Sequence, residues 1–106
     1  MPKYLIQASY TLQGVQGVQS QGGSSRREAV AQTIESVGGS LECFYFAFGD
    51  ADVFVVADLP DNEAAVAIAL TVNAAGGATT KTSLLLTPEE VDAAAERSVA
   101  YRAPGG

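Results

Sequence analysis

The chain has 106 residues, 47% of them hydrophobic, and carries a net charge of −6 from 12 acidic and 6 basic side chains. That length builds one hydrophobic core, so a single folded domain over residues 1–106 is expected. The acidic balance disfavours nucleic acid and anionic membranes as partners, and no apolar run approaches the roughly 20 residues of a membrane span.

The opening "MPKYLIQASY" turns polar too early for a signal peptide, which makes a cytoplasmic location the expectation. Within residues 3–11 the apolar positions alternate, with Tyr4, Ile6, Ala8 and Tyr10 on one side and Lys3, Leu5, Gln7 and Ser9 on the other. Period two predicts a strand. The stretch "LQGVQGVQSQGGSS", residues 12–25, places Leu12, Val15 and Val18 at helical spacing, but its glycines weaken a helix. A short frayed helix running into a mobile loop is predicted there.

Ser25 to Glu28, "SRRE", has the spacing of a capping box, in which serine and glutamate satisfy free amides at a helix start. Val30, Ile34 and Val37 form the stripe of that helix, and Gly38-Gly39 stops it. Residues 40–48 and 52–58 read as strands joined by a turn at Gly49-Asp50. Leu41, Cys43, Tyr45 and Ala47 would share one face of the first, opposite Phe44, Phe46 and Phe48. A helix from Pro60-Asp61 through Asn73 contains "AAVAIALTV", apolar almost all round and therefore expected to be buried on more than one side. Residues 78–87 are the fourth strand. "TPEE", Thr87 to Glu90, opens a last helix with proline at its first position. Its core stripe is Val91, Ala94, Ala95 and Val99, and it runs to about Tyr101 before a loose tail at 103–106.

The order β-α-β-β-α-β with an added C-terminal helix predicts an α+β fold, a ferredoxin-like sandwich with helices on one face of an antiparallel sheet. Both faces of that sheet carry apolar side chains, so the uncovered face needs a partner. A homo-oligomer joined through sheet faces or edges follows.

The segments "MPKYLIQASYT", "GGSSRR", "FYFAFGDADV", "LPDNEAA" and "LLTPEEVD" together resemble the GYD-domain family over nearly the whole chain. The resemblance implies a small bacterial protein of the dimeric α+β barrel type, without an established biochemical function. The family usually places a tyrosine before the aspartate of its signature, and this chain has Ala51 there, in "GDAD".

Without histidine, the usual base near neutral pH and the commonest metal ligand, Ser-His-Asp triads and His-based metal sites are excluded. Cys43, the only cysteine, forms no internal disulfide and reads as a small buried hydrophobe. No cofactor is expected. Asp50 and Asp52 read as turn and strand-end chemistry ahead of a catalytic pair. Arg26 and Arg27 oppose a helix dipole in its first turn, so they form an anion cradle or pair with carboxylates of this or a neighbouring subunit. Lys81 shares a strand face with Thr79 and Ser83, and either borders a ligand cavity or protects an edge strand from aggregation. Register decides whether its neighbours are Gln7 and Ser9 or Tyr4 and Tyr10. Tyr4, Tyr10 and Tyr45 are further hydrogen-bond donors for such a cavity.

The resulting expectation is a homo-oligomer that binds a small anionic or polar metabolite between sheet and partner, using Arg26, Arg27, Lys81, Tyr10 and Tyr45. A cofactor-free enzyme of the α+β barrel type and a purely structural assembly protein are the alternatives.

Overall fold

The computed structural model describes residues 1–106 as a mixed α+β fold with one four-stranded antiparallel sheet and four helices. The order is β1 (Lys3–Tyr10), α1 (Leu12–Gln21), α2 (Gly23–Ser36), β2 (Ser40–Phe46), β3 (Val53–Asp58), α3 (Asn62–Ala75), β4 (Ala78–Leu85) and α4 (Pro88–Ala95). In space the strands run β2-β3-β1-β4, so β1 is central although it is first in the chain. Both helical crossovers therefore skip one strand.

Register assigns the faces. Tyr4 pairs with Ala57 and Leu84, Ile6 with Val55 and Thr82, and Ala8 with Val53 and Thr80. Directly opposed residues share a face, and this one lies under the helices. Its core is Tyr4, Ile6, Val53, Val55, Ala57 and Leu59, closed by Ile34 of α2 and by Ala65 and Ile68 of α3. Ile34 is 1% exposed, and burying a side chain of that size stabilises the fold by about 1.5–3 kcal/mol. The Tyr4 hydroxyl ties strand to helix by donating to Asn62 Oδ1.

β2 departs from simple alternation. The pairing shifts between Leu41, which opposes Ala57, and Cys43, which opposes Val56. The extra residue at Glu42 is a bulge, and a one-residue insertion moves every side chain behind it to the other face. Leu41 thus joins Phe44 and Phe46 against the core instead of sharing the face of Cys43 and Tyr45. Cys43 itself is half-buried on the open face, not sealed inside.

Four helix expectations need correction. Ser25 does not cap α2: the helix begins at Gly23 behind Gly22, which has φ +89° and makes no side-chain cap. Glycine suits that backbone conformation, and the same residue also ends α1, its amide donating to the Val18 carbonyl. α1 is a full helix of 10 residues rather than a frayed turn, N-capped by the Thr11 hydroxyl. α3 is buried on one side only, at Ala64, Ala65 and Ile68, while Val66 and Leu70 face solvent. Finally, α4 stops at Ala95, and Val91, Ala94, Ala95 and Val99 are all exposed, so they form no core stripe in this chain. Its capping box at Thr87 and Glu90 is complete.

Candidate functional site: a helix-side cleft beneath α1

α1 crosses the end of the sheet without burying a single side chain. It is held at its start, where the Thr11 amide donates to the Gly77 carbonyl at 3.0 Å and the Thr11 hydroxyl to the Gly76 carbonyl at 2.8 Å. Between α1, α2 and α3 this leaves an open cleft of about 340 Å³, with Gly14, Gly17 and Val18 as its roof and Thr71, Val72 and Ala75 on the opposite wall. A smaller recess of about 70 Å³ continues inward over Ile6, Val30, Phe44, Val55 and Ile68. Tyr10, Arg26, Thr33, Val72 and Ala78 line both, so they form the throat.

The throat is where two of the five expected site residues meet. Tyr10 arrives from the last position of β1 and Arg26 from the first turn of α2. Neither the Tyr10 hydroxyl nor the Arg26 guanidinium makes a hydrogen bond or ion pair within the chain; the two ion pairs present both belong to Lys3. A charged fork and a phenol therefore line a cavity with a mixed polar and apolar mouth and an apolar end. Such a pairing suits a ligand with an anionic head and a small apolar body.

Burial pushes the Tyr10 hydroxyl above its ordinary value of 10.0, the Arg26 charge opposes this, and the Asp52 charge adds to it. At neutral pH the phenol is a hydrogen-bond donor. Lys3 is also raised above its ordinary value of 10.5, by its bonds to Asp58 and Glu42. Both groups hold their protons more tightly in the folded chain than in the unfolded one. Their contribution to stability is thus complete below pH 10.0 and is lost as pH rises through the raised values. Urea midpoints are expected to stay level from neutral pH to about 9.5 and to fall above it. Tyr10→Phe should flatten the first part of that fall. An unchanged profile in that variant would show that another group governs it.

The remaining expected residues lie elsewhere. Arg27 is exposed, one position past Arg26, and does not reach the throat. Lys81 and Tyr45 are on the open face, where one row across the sheet reads Tyr45, Phe54, Gln7, Lys81. They sit at its two edges, three strand spacings or about 14 Å apart. The register settles Gln7 as the neighbour of Lys81, with Ser9 opposite Thr79 on the same face. Asp52 is a strand-end residue: its Oδ2 accepts the Tyr10 amide at 2.8 Å and closes the ladder between β1 and β3. Asp50 is exposed in the loop, and Ala51 beside it is buried at 7% exposure.

Sequence reasoning missed Thr33 and the small residues of the roof. Gly14 and Gly17 at i, i+3 were a signal of close approach that reads more naturally as helix weakness.

One antiparallel sheet, helices over one face and a cleft opening beneath the first of them define a small α+β domain. The chain belongs to the GYD-domain family, whose model matches residues 4–95, from the second residue of β1 to the last of α4. No curated protein and no solved structure matches it. No helix is long and apolar enough to cross a membrane.

Proposed function

We propose that this protein binds a small organic anion in the helix-side cleft. Arg26 takes the charged head, Tyr10 donates a hydrogen bond to it, and the recess above Ile6 and Ile68 takes the apolar body. The carrying observation is that the Arg26 guanidinium and the Tyr10 hydroxyl, neither with a partner in the chain, meet where a mixed cleft narrows into an apolar recess. The reading keeps the ligand class expected from sequence and moves its seat from the open face to the helix side.

The scaffold reads as a ferredoxin-like sandwich, supported by the strand order β2-β3-β1-β4 with two crossovers that each skip a strand. Its open face carries Leu5, Phe54, Val56, Cys43 and Tyr45, and no helix of the chain covers them. Self-association through that face is therefore part of the proposal, since water-exposed sheet faces normally read polar.

Benzoate, with benzamide as its uncharged isostere, tests the cleft. In an NMR titration benzoate is expected to shift the amides of Tyr10, Gly14, Gly17, Arg26 and Thr33, and benzamide to bind at least tenfold more weakly. Arg26→Gln should lose about 10- to 100-fold of the benzoate affinity, the worth of a charge-assisted bond, and Tyr10→Phe severalfold. Equal binding of the two probes, or shifts confined to other surfaces, would refute the assignment.

A further inference from the structure

Residues 86–106 leave the body of the protein. Every one of them is exposed, and α4 makes no substantial packing contact with another element. The molecule is accordingly 56 Å long against 33 and 23 Å in its other directions, with a radius of gyration of 16.9 Å, where a compact chain of this length has about 13 Å. Leu86, Val91, Val99 and Tyr101 are held in water at 52–80% exposure. An isolated helix of 8 residues is marginal in water, yet α4 has a complete capping box and proline at its start. Its sequence specifies a helix that its own chain does not support.

The charges indicate what would support it. α4 and the residue after it present Glu89, Glu90, Asp92 and Glu96, none of them ion-paired. On the open sheet face Lys3 is already held by Asp58 and Glu42, whereas Lys81 has no carboxylate partner. Val91, Ala94 and Ala95 form an apolar stripe on α4 at i, i+3 and i+4. The open face beside Lys81 offers Leu5 and Phe54, across Gln7 and one row along.

We propose that α4 is an exchanged arm: it seats on the open face of a second copy along β4, its stripe on the apolar rows and its carboxylates on Lys81. The second copy returns its own arm in the same way, so the contact is isologous. This rests on the reading that the open face is the self-association surface, and adds the element that completes it.

The test uses full-length protein, prepared with natural nitrogen and with nitrogen-15 and then mixed. Zero-length carbodiimide coupling joins only an amine and a carboxylate already in contact. The expected product is a peptide pair of mixed isotope composition linking Lys81 to Glu89, Glu90, Asp92 or Glu96. In sedimentation, Val91→Asp is expected to weaken the dimer at least tenfold while leaving the circular dichroism of the sheet intact. Arm carboxylates linked to Lys81 only within one chain, or to no lysine, would overturn the proposal, as would a Val91→Asp dimer of wild-type strength. If Phe54→Glu is monomeric while the Val91→Asp dimer is undisturbed, the face reading stands and the arm is wrong. A wild-type chain that stays monomeric at high concentration removes both.

Discussion

Gly14→Ala is expected to lower stability by about 2–3 kcal/mol, the cost of forcing a methyl group into a contact that cannot open, whereas Gly17→Ala, one turn along the same helix, should raise it by about 0.5–1 kcal/mol. The opposite signs come from what each methyl meets. At Gly14 it would fall inside the Gly77 carbonyl oxygen and lie 2.9 Å from that carbonyl's carbon and 3.0 Å from Tyr10 Cδ1. Backbone on one side and a packed ring on the other leave it nowhere to go. At Gly17 nothing lies within 4 Å, so only the ordinary helix preference for alanine remains. The chain has one escape from the Gly14 clash, which is to undock α1. Loss of amide exchange protection confined to residues 12–21 in Gly14→Ala, with the sheet unaffected, is therefore the expected signature. Equal, small effects at both positions would show that α1 is not held against the α3–β4 turn.

If the open face is the proposed self-association surface, Phe54→Glu is expected to yield a folded monomer where the unsubstituted protein associates. Phe54 lies in the middle of the open face, opposed by Tyr45 on one side and Gln7 on the other, and its ring points away from the core. A carboxylate there remains hydrated in the single chain and costs its fold little. Buried in an interface without a cation it costs several kcal/mol per subunit, enough to shift dissociation by two or more orders of magnitude. Phe46→Glu is the control, because Phe46 packs against the core beside Phe44, with ring centroids 5.1 Å apart. That variant should unfold rather than dissociate. Analytical ultracentrifugation with near-ultraviolet circular dichroism separates the cases, and a Phe54→Glu chain of wild-type mass sinks the open-face reading.

β1 was legible from its period two and β3 from its apolar run, and the face alternation assumed for both agrees with the pairing. It failed in β2 at one residue. Glu42 is inserted into the ladder, so the side chain before it, Leu41, changes face, and a bulge leaves no trace in hydrophobic alternation. The caps at Thr87 and Asp61 follow from local chemistry alone. "SRRE" has the same spacing without the cap, because the chain enters α2 through Gly22 and helical geometry has begun before Ser25. The stripe of α4 was visible as a stripe and the run of α3 as apolar almost all round, but a sequence does not say which surface, if any, covers them. Arg26 stood out by opposing its helix dipole and Tyr10 as one aromatic among several. Their meeting depended on where α1 docks, which is set by the Gly14–Gly77 approach some sixty residues apart in the chain.

The roof of the cleft contributes nothing to the core, and this divides the molecule for natural selection. α1 has no buried residue and is fastened mainly at Thr11 and Gly14, so Gly17, Val18 and Gln21 are free to change at little thermodynamic cost. Those three positions face the cavity. On the proposed reading, changes along this single helix would alter what the cleft holds while leaving the core of the sheet and the α2–α3 layer untouched. A roof decoupled in this way would let the proposed specificity change without passing through unstable intermediates.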